Sequence, residues 1–257
     1  MDRKVRTRLR VGCYVFIAVA LLTTLYCSRG EIISYSGQQY QFNIDAVVVW
    51  DMNSGEGLVR VTVMEDSSPL AGAQVKINLN SVAESDTGEY SSDDPSYLKL
   101  NDSNKLSVIY TPHNLNAQIE FDLPDTFRIT ALPQRLNPGG ESLVVYWKAS
   151  QKGDGYFVSV IGRNATSTGA IPYSSTVEYQ QTQFTIPPDA FRDRLSELKA
   201  DIYLVHVVAY SDGFIPYEGM PFTLPEGLPE ASLTGANGSF GCGVVAPYDS
   251  IIVPQGD

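Results

Sequence analysis

The chain holds two histidines, His113 next to Pro112 in a turn and His206 inside an alternating apolar run. A nucleophile–base–carboxylate relay or a histidine zinc site needs imidazoles set beside further donors, and two such isolated residues supply that chemistry poorly. Gly238-Ser239-Phe240-Gly241 approaches the Gly-x-Ser-x-Gly turn that exposes a serine nucleophile, but Asn237 stands where the first glycine is needed. Ser239 therefore reads as a close-packed strand entry. Cys242, between Gly241 and Gly243 in an apolar stretch, reads as a buried structural thiol. Asp51, Asn53 and Glu56 set oxygen-bearing side chains along one tight turn, which makes them the best of the weak calcium candidates. No complete Asp-x-Asp/Asn-x-Asp/Asn-Gly…Glu loop is present, so a solvated turn is the plainer reading, and no metal or cofactor is expected.

Carboxylates are the one abundant catalytic type. The chain carries 18 Lys and Arg against 29 Asp and Glu, a formal charge of -11. Six of the basic residues precede Gly30, which leaves 12 against 28, or -16, for residues 31–257. A surface that acidic repels phosphate backbones, so a nucleic-acid partner is excluded. If the chain were an enzyme, a carboxylate-dependent hydrolase acting on surface polymers would be the chemistry at hand, and it would need two carboxylates converging in a cleft.

The first thirty residues have a different character. Arg3, Lys4, Arg6, Arg8 and Arg10 precede seventeen residues, 11–27, without a charge. A basic flank followed by such a run is an export signal, and the run lies between the length of a signal core and that of a spanning helix. The basic flank directs residues 31–257 to the outer side of a membrane. Cys13 and Cys27 belong to this segment, leaving Cys242 alone in the remainder, so no internal disulfide is expected there. Cys27 resembles the lipid-modified cysteine of bacterial lipoproteins, which makes it the lipid-anchor candidate. Thr24, Leu25 and Tyr26 precede it, and Tyr26 departs from the small residue usual at that place. A lipid anchor, an uncleaved helix and a cleaved signal all remain open.

The elements that would position any site are strands. Tyr40, Phe42 and Ile44 alternate into a buried run at 46–50, and 58–63 follows across an Asn-Ser-Gly-Glu-Gly turn. Further strands are expected at 73–79, 97–100, 106–110, 118–123 and 127–132. Leu143, Val145 and Trp147 alternate next, and Gly153-Asp154-Gly155 predicts a hairpin turn into Tyr156, Val158 and Val160. Phe191, Leu195 and Leu198 share one side of a short amphipathic helix. Strands spaced near ten residues apart predict an all-β chain of two tandem β-sandwiches, residues 31–132 and 133–257, after an anchor or signal at 1–30.

Two resemblances sharpen that division. The succession Gly72-Ala73-Gln-Val75, Asp86-Thr-Gly88-Glu-Tyr90 and Pro95-Ser-Tyr97-Leu resembles the carboxypeptidase regulatory-like domain over about residues 40–132. It implies a transthyretin-like sandwich without catalytic residues. Trp147, Gly155-Tyr156 and Tyr203-x-Val205-x-Val207-x-Ala209 resemble a fibronectin type III module over about residues 134–212. That likeness implies that Trp147 and Tyr203 belong to the core, with Tyr203 at a sandwich corner. About thirty residues separate this strand from the next, 239–245, so either the last strand arrives late or the tail is an added element. The module order as a whole is similar to uncharacterised bacterial cell-envelope proteins, many of them lipoproteins.

The strand at 201–210 is apolar on both faces, whereas an antiparallel sandwich strand ordinarily has one wet face. Its second face, with Ile202, Leu204, Val208 and Tyr210, is expected to be covered by the 191–198 helix or the 239–245 strand, or else to be an interaction surface. The functional expectation is a non-enzymatic interaction or structural module of the cell envelope, membrane-held and partnered by another envelope protein. The alternatives are the hydrolase above and an accessory subunit of an outer-membrane transporter.

Overall fold

A computed structural model of the protein describes residues 40–136, 142–163, 172–191 and 200–253. The chain divides into two units, Met1–Gln39 and Tyr40–Asp257. The second is all-β.

Its strands are β1 (Phe42–Asp51), β2 (Glu56–Glu65), β3 (Ser68–Pro69), β4 (Gln74–Ile77), β5 (Asn80–Asp86), β6 (Glu89–Ser92), β7 (Asn104–Tyr110), β8 (Leu115–Phe121), β9 (Ile129–Ala131), β10 (Leu143–Trp147), β11 (Gly155–Arg163), β12 (Tyr173–Glu178), β13 (Gln183–Ile186), β14 (Ile202–Ser211), β15 (Phe240–Val245) and β16 (Asp249–Ile252). One hydrogen-bonded path runs β12-β11-β14-β15-β1-β2-β6-β5-β4-β7-β8, and β13-β10-β9 form a separate three-stranded sheet.

Local pattern explains most of these elements. Val59, Val61 and Val63 are buried on one face of β2 while the residues between them are half-exposed, the alternation of a strand with one covered face. β1 lacks that alternation because it is covered twice: Ile44, Ala46 and Val48 join the main core, and Val47 and Val49 join a second cluster on the opposite side. β5 pairs β4 through Asn80–Val82 and β6 through Ala83–Asp86, with a register shift near its end. The path therefore turns a corner at β5, and β4, β7 and β8 contribute Val75, Ile77, Leu106, Val108 and Ala117 to the core that β2 also lines. In the other half, Trp147 of β10 packs on Tyr156 of β11 at 5.3 Å and Phe127 meets the same ring at 5.7 Å. Tyr203 is fully buried and its hydroxyl donates to the Phe191 carbonyl at 2.6 Å.

Several expectations need correction. The 97–100 strand is a 3-10 turn, Pro95–Tyr97, because the Asp94 carboxylate accepts from Ser96 N and Pro95 fixes the first helical φ. The 73–79 strand ends at Ile77, where Asn78 and Leu79 take positive φ and make a two-residue hairpin. Gly153–Gly155 is not a hairpin turn: β10 pairs β9 and β13, β11 pairs β12 and β14, and the link between them crosses from one sheet to the other. Where the helix around Phe191 is expected, the described residues form a 3-10 turn, Pro188–Ala190, with Phe191 buried at its end; Leu195 and Leu198 lie outside the described residues. β9 and β10, on either side of residues 132 and 133, are hydrogen-bonded neighbours, and β15 lies parallel to β1.

Candidate functional site

β14 is the strand around which chemistry-bearing side chains gather, and its second face is closed. Leu204, Val208 and Tyr210 are buried, while Ile202 stays 42% exposed. The expected cover β15 is instead a hydrogen-bonded neighbour of β14, and Leu195 and Leu198 of the expected helix lie outside the described residues. Among the described residues the cover is the segment 212–229: Phe214, Ile215 and Phe222 pack with Val208, Tyr210, Phe157, Val47 and Val49. The glycines of β15 permit this approach. A Cβ on Gly241 would lie 2.5 Å from the Phe214 Cα, and one on Gly243 2.8 Å from its ring. Leu204, Val208 and Tyr210 are thus core residues, not a free interaction surface, because folding has already removed their apolar area from water.

His206 lies under the same cover between the rings of Phe222 and Tyr248, at 5.6 and 5.4 Å. Both of its nitrogens are buried without a hydrogen-bond partner among the described residues. Burial lowers its pKa to about 4, so it is neutral at physiological pH. His113 closes a 3-10 turn, stacks on Tyr40 at 3.9 Å, meets Tyr110 edge-on and pairs through Nδ1 with the Glu65 carboxylate. Neither imidazole stands beside the other or beside the thiol. Cys242 Sγ donates to the Ser211 carbonyl at 3.1 Å, and burial pushes its pKa up to about 12, which suits an inert thiol. Ser239 Oγ donates to Glu230, and its backbone N–H to Asp45 Oδ1.

The calcium candidates have other work. Asp51 Oδ1 accepts from Asn53 N at 2.7 Å and from its side-chain amide at 2.9 Å. Asn53 Oδ1 accepts from Tyr248 N at 2.7 Å, so the turn fastens the chain after β15 to the β1–β2 hairpin. Glu56 carries its backbone N–H to Ser54 Oγ. Among the described residues no group of three His, Cys, Asp or Glu side chains is placed to hold a metal ion.

Two of the concavities among the described residues bear on catalysis or binding. A groove of about 480 Å³ lies between β1, β2 and β6 and the covering segment, lined by Asp45, Arg60, Glu89, Tyr217 and Glu218 among others. Arg60 is anchored there by Asp93 at 2.6 Å and by the Val59 and Ser92 carbonyls, each at 3.0 Å. Burial raises the Tyr217 pKa, keeping that phenol protonated. A shallower depression gathers Glu120, Asp122, Asp154 and Asp212. Asp154 Oδ2 accepts from Asp212 N at 2.8 Å, and Asp212 takes up its proton more readily than a free aspartate because of burial first and then Asp154 and Asp122. Glu120 stands near the end of β8, while Asp122, Asp154 and Asp212 come from three separate loops, and no sequence spacing announces them.

Cys27 lies outside the described residues, and among those described no helix is long and apolar enough to cross a membrane. No protein-family profile and no curated protein matches the chain. Among solved structures it is similar to the chicken CNTN1 FN1–FN3 domains, at 14% identity and a TM-score of 0.28, over 82% of this chain and 66% of that one, just under two thirds of its length.

Proposed function

We infer that the chain is a non-catalytic interaction or structural module of the bacterial cell envelope, held on the outer side of a membrane by its N-terminal segment. The observation that carries this reading is the division of the sequence. A basic stretch and a seventeen-residue uncharged run precede an acidic β body that begins at Tyr40. The body's own side chains support the non-catalytic part: His206 and Cys242 are sealed in packing, and His113 is stacked on Tyr40 and in contact with the Glu65 carboxylate. In the finer form of this reading, residues 40–132 are a carboxypeptidase regulatory-like sandwich and residues 134–212 a fibronectin type III-like one. The groove around Arg60 and Tyr217 is then the surface for an envelope partner.

Replacing Cys27 tests the anchor. With a lipid anchor, Cys27→Ala abolishes incorporation of a fatty-acid analogue and releases the protein from the membrane fraction. Labelling and fractionation that do not change would overturn the lipid and leave the uncleaved helix as the anchor.

The acidic depression favours one second reading, a carboxylate-dependent hydrolase. Burial first, and then the nearby Asp154 and Asp122, raise the Asp212 pKa, and a carboxyl that keeps its proton beside further carboxylates is the pattern of a general acid. Under this reading Asp212→Asn eliminates hydrolysis of envelope polysaccharide by the purified protein. Equal product formation by the variant and the wild type would sink it.

A further inference from the structure

The hairpin between β4 and β5 turns on Asn78 and Leu79, whose φ values are 49 and 78. Two-residue hairpins with both central residues at positive φ take glycine at the second place, since any Cβ is strained there. Here that residue is a leucine, 92% exposed, the barest large apolar side chain among the described residues. The turn that carries it is pinned. Asn78 Nδ2 donates to Asn104 Oδ1 at 2.7 Å and to the Tyr97 carbonyl at 2.9 Å, and Asn78 Oδ1 accepts from Lys105 N at 2.9 Å. Asn104 is itself fully buried and donates to the Lys99 carbonyl at 2.8 Å. The fold therefore holds a water-exposed leucine at the end of a hydrogen-bonded hairpin, where it adds nothing to the core.

Charge changes sign around that tip. Lys76, Lys99 and Lys105 line a depression together with Leu79, and Glu120 is its one carboxylate. They are three of the six lysines beyond residue 39, in a body dominated by carboxylates. Lys99 faces Asp102 at 3.4 Å and Lys105 faces Glu120 at 3.6 Å, but both lysines are about half exposed, so these pairs are open to exchange for other anions.

We propose that the β4–β5 tip is a membrane-contacting element in which Leu79 enters the apolar layer of an anionic leaflet while Lys76, Lys99 and Lys105 engage lipid phosphates. This rests on the reading that the chain is membrane-held. A single leucine ringed by long cationic side chains suits a fluid apolar layer bordered by phosphate, which demands no shaped pocket, and lysine stems reach along such a boundary with their ammonium groups in water. Charge complementarity fixes the orientation: an anionic surface repels the rest of the acidic body and attracts this tip.

The test uses the full-length chain with Leu79→Trp, reconstituted with vesicles of brominated phosphatidylglycerol. The expected result is a blue shift of the added emission and loss of most of it to bromine quenching, measured against the wild-type signal of Trp50 and Trp147. The same variant in phosphatidylcholine vesicles, or carrying Lys76, Lys99 and Lys105→Gln, should keep its emission. A chain that sediments with the vesicles while the added tryptophan stays in water overturns this proposal alone. A chain that fails to sediment with either lipid overturns the membrane-held reading and the proposal with it. A blue shift produced by polyglutamate and not by vesicles would assign the tip to an acidic protein instead.

Discussion

Gly238→Ala is expected to cost about 4 kcal/mol of folding stability, near the upper end of single-substitution effects. Gly238 holds φ at +115, and a Cβ there would lie 2.1 Å from the Ile44 carbonyl oxygen and 2.6 Å from the Ile44 nitrogen. Neither side can retreat cheaply. Ile44 N donates to the Asn237 carbonyl at 2.8 Å and Ala46 N to the Ser239 carbonyl at 2.9 Å, so Gly238 sits inside the seam where the chain enters β15 alongside β1. Gly72→Ala is the control: its φ is +75, but nothing lies within 4 Å of the added carbon, and the cost should be only the local backbone strain of about 1 kcal/mol. Urea denaturation of both variants decides the matter. Equal losses would mean that β15 is not docked on β1 as described.

His206 should make stability fall with acid. Its pKa in the folded chain is about 4 against an ordinary 6.5, because burial penalises the charged ring; Asp51 partly opposes that effect and Arg163 adds to it. A depressed histidine pKa leaves stability intact above pH 6.5, where both states are neutral. The loss begins as pH drops below 6.5 and is complete below about 4, amounting to about 3 kcal/mol at 1.36 kcal/mol per pKa unit. His206→Leu removes the ionising group and the two unpartnered nitrogens together. The difference between wild-type and variant stability should therefore shift by about 3 kcal/mol in the variant's favour between pH 7 and pH 4. A pH-independent difference would mean that the ring is not sealed under Phe222 and Tyr248.

What was legible in the sequence was local. Alternation identified the core faces of β2 and β14, and Tyr203, Val205, Val207 and Ala209 are all buried. Gly72 and Gly88, both part of the regulatory-like motif, have φ values of 75 and 73, the conformation that glycine tolerates. Pairings across long distances were not legible. Asp45 and Ser239 are hydrogen-bonded although 194 residues apart, and nothing in either segment names the other. The cover over β14 was missed for a related reason: Phe214, Ile215 and Phe222 sit among Gly, Pro and Glu without a helical or strand period, so 212–229 read as a gap between strands. Leu79 was readable in principle. Asn78-Leu79 separates two short strand runs, and an asparagine opening a two-residue turn was the available signal.

The central claim, a β body held outside a membrane by its N-terminal segment, is tested most directly by the side from which the body can be digested. Protease should be added to intact cells, to spheroplasts and to lysed spheroplasts expressing the full-length chain, with the body followed by an antibody. The account predicts that the body sediments with membranes and is destroyed no later than the spheroplast stage, before the inner membrane is opened. Recovery in the cytosolic fraction, or survival until the spheroplasts are lysed, would contradict it.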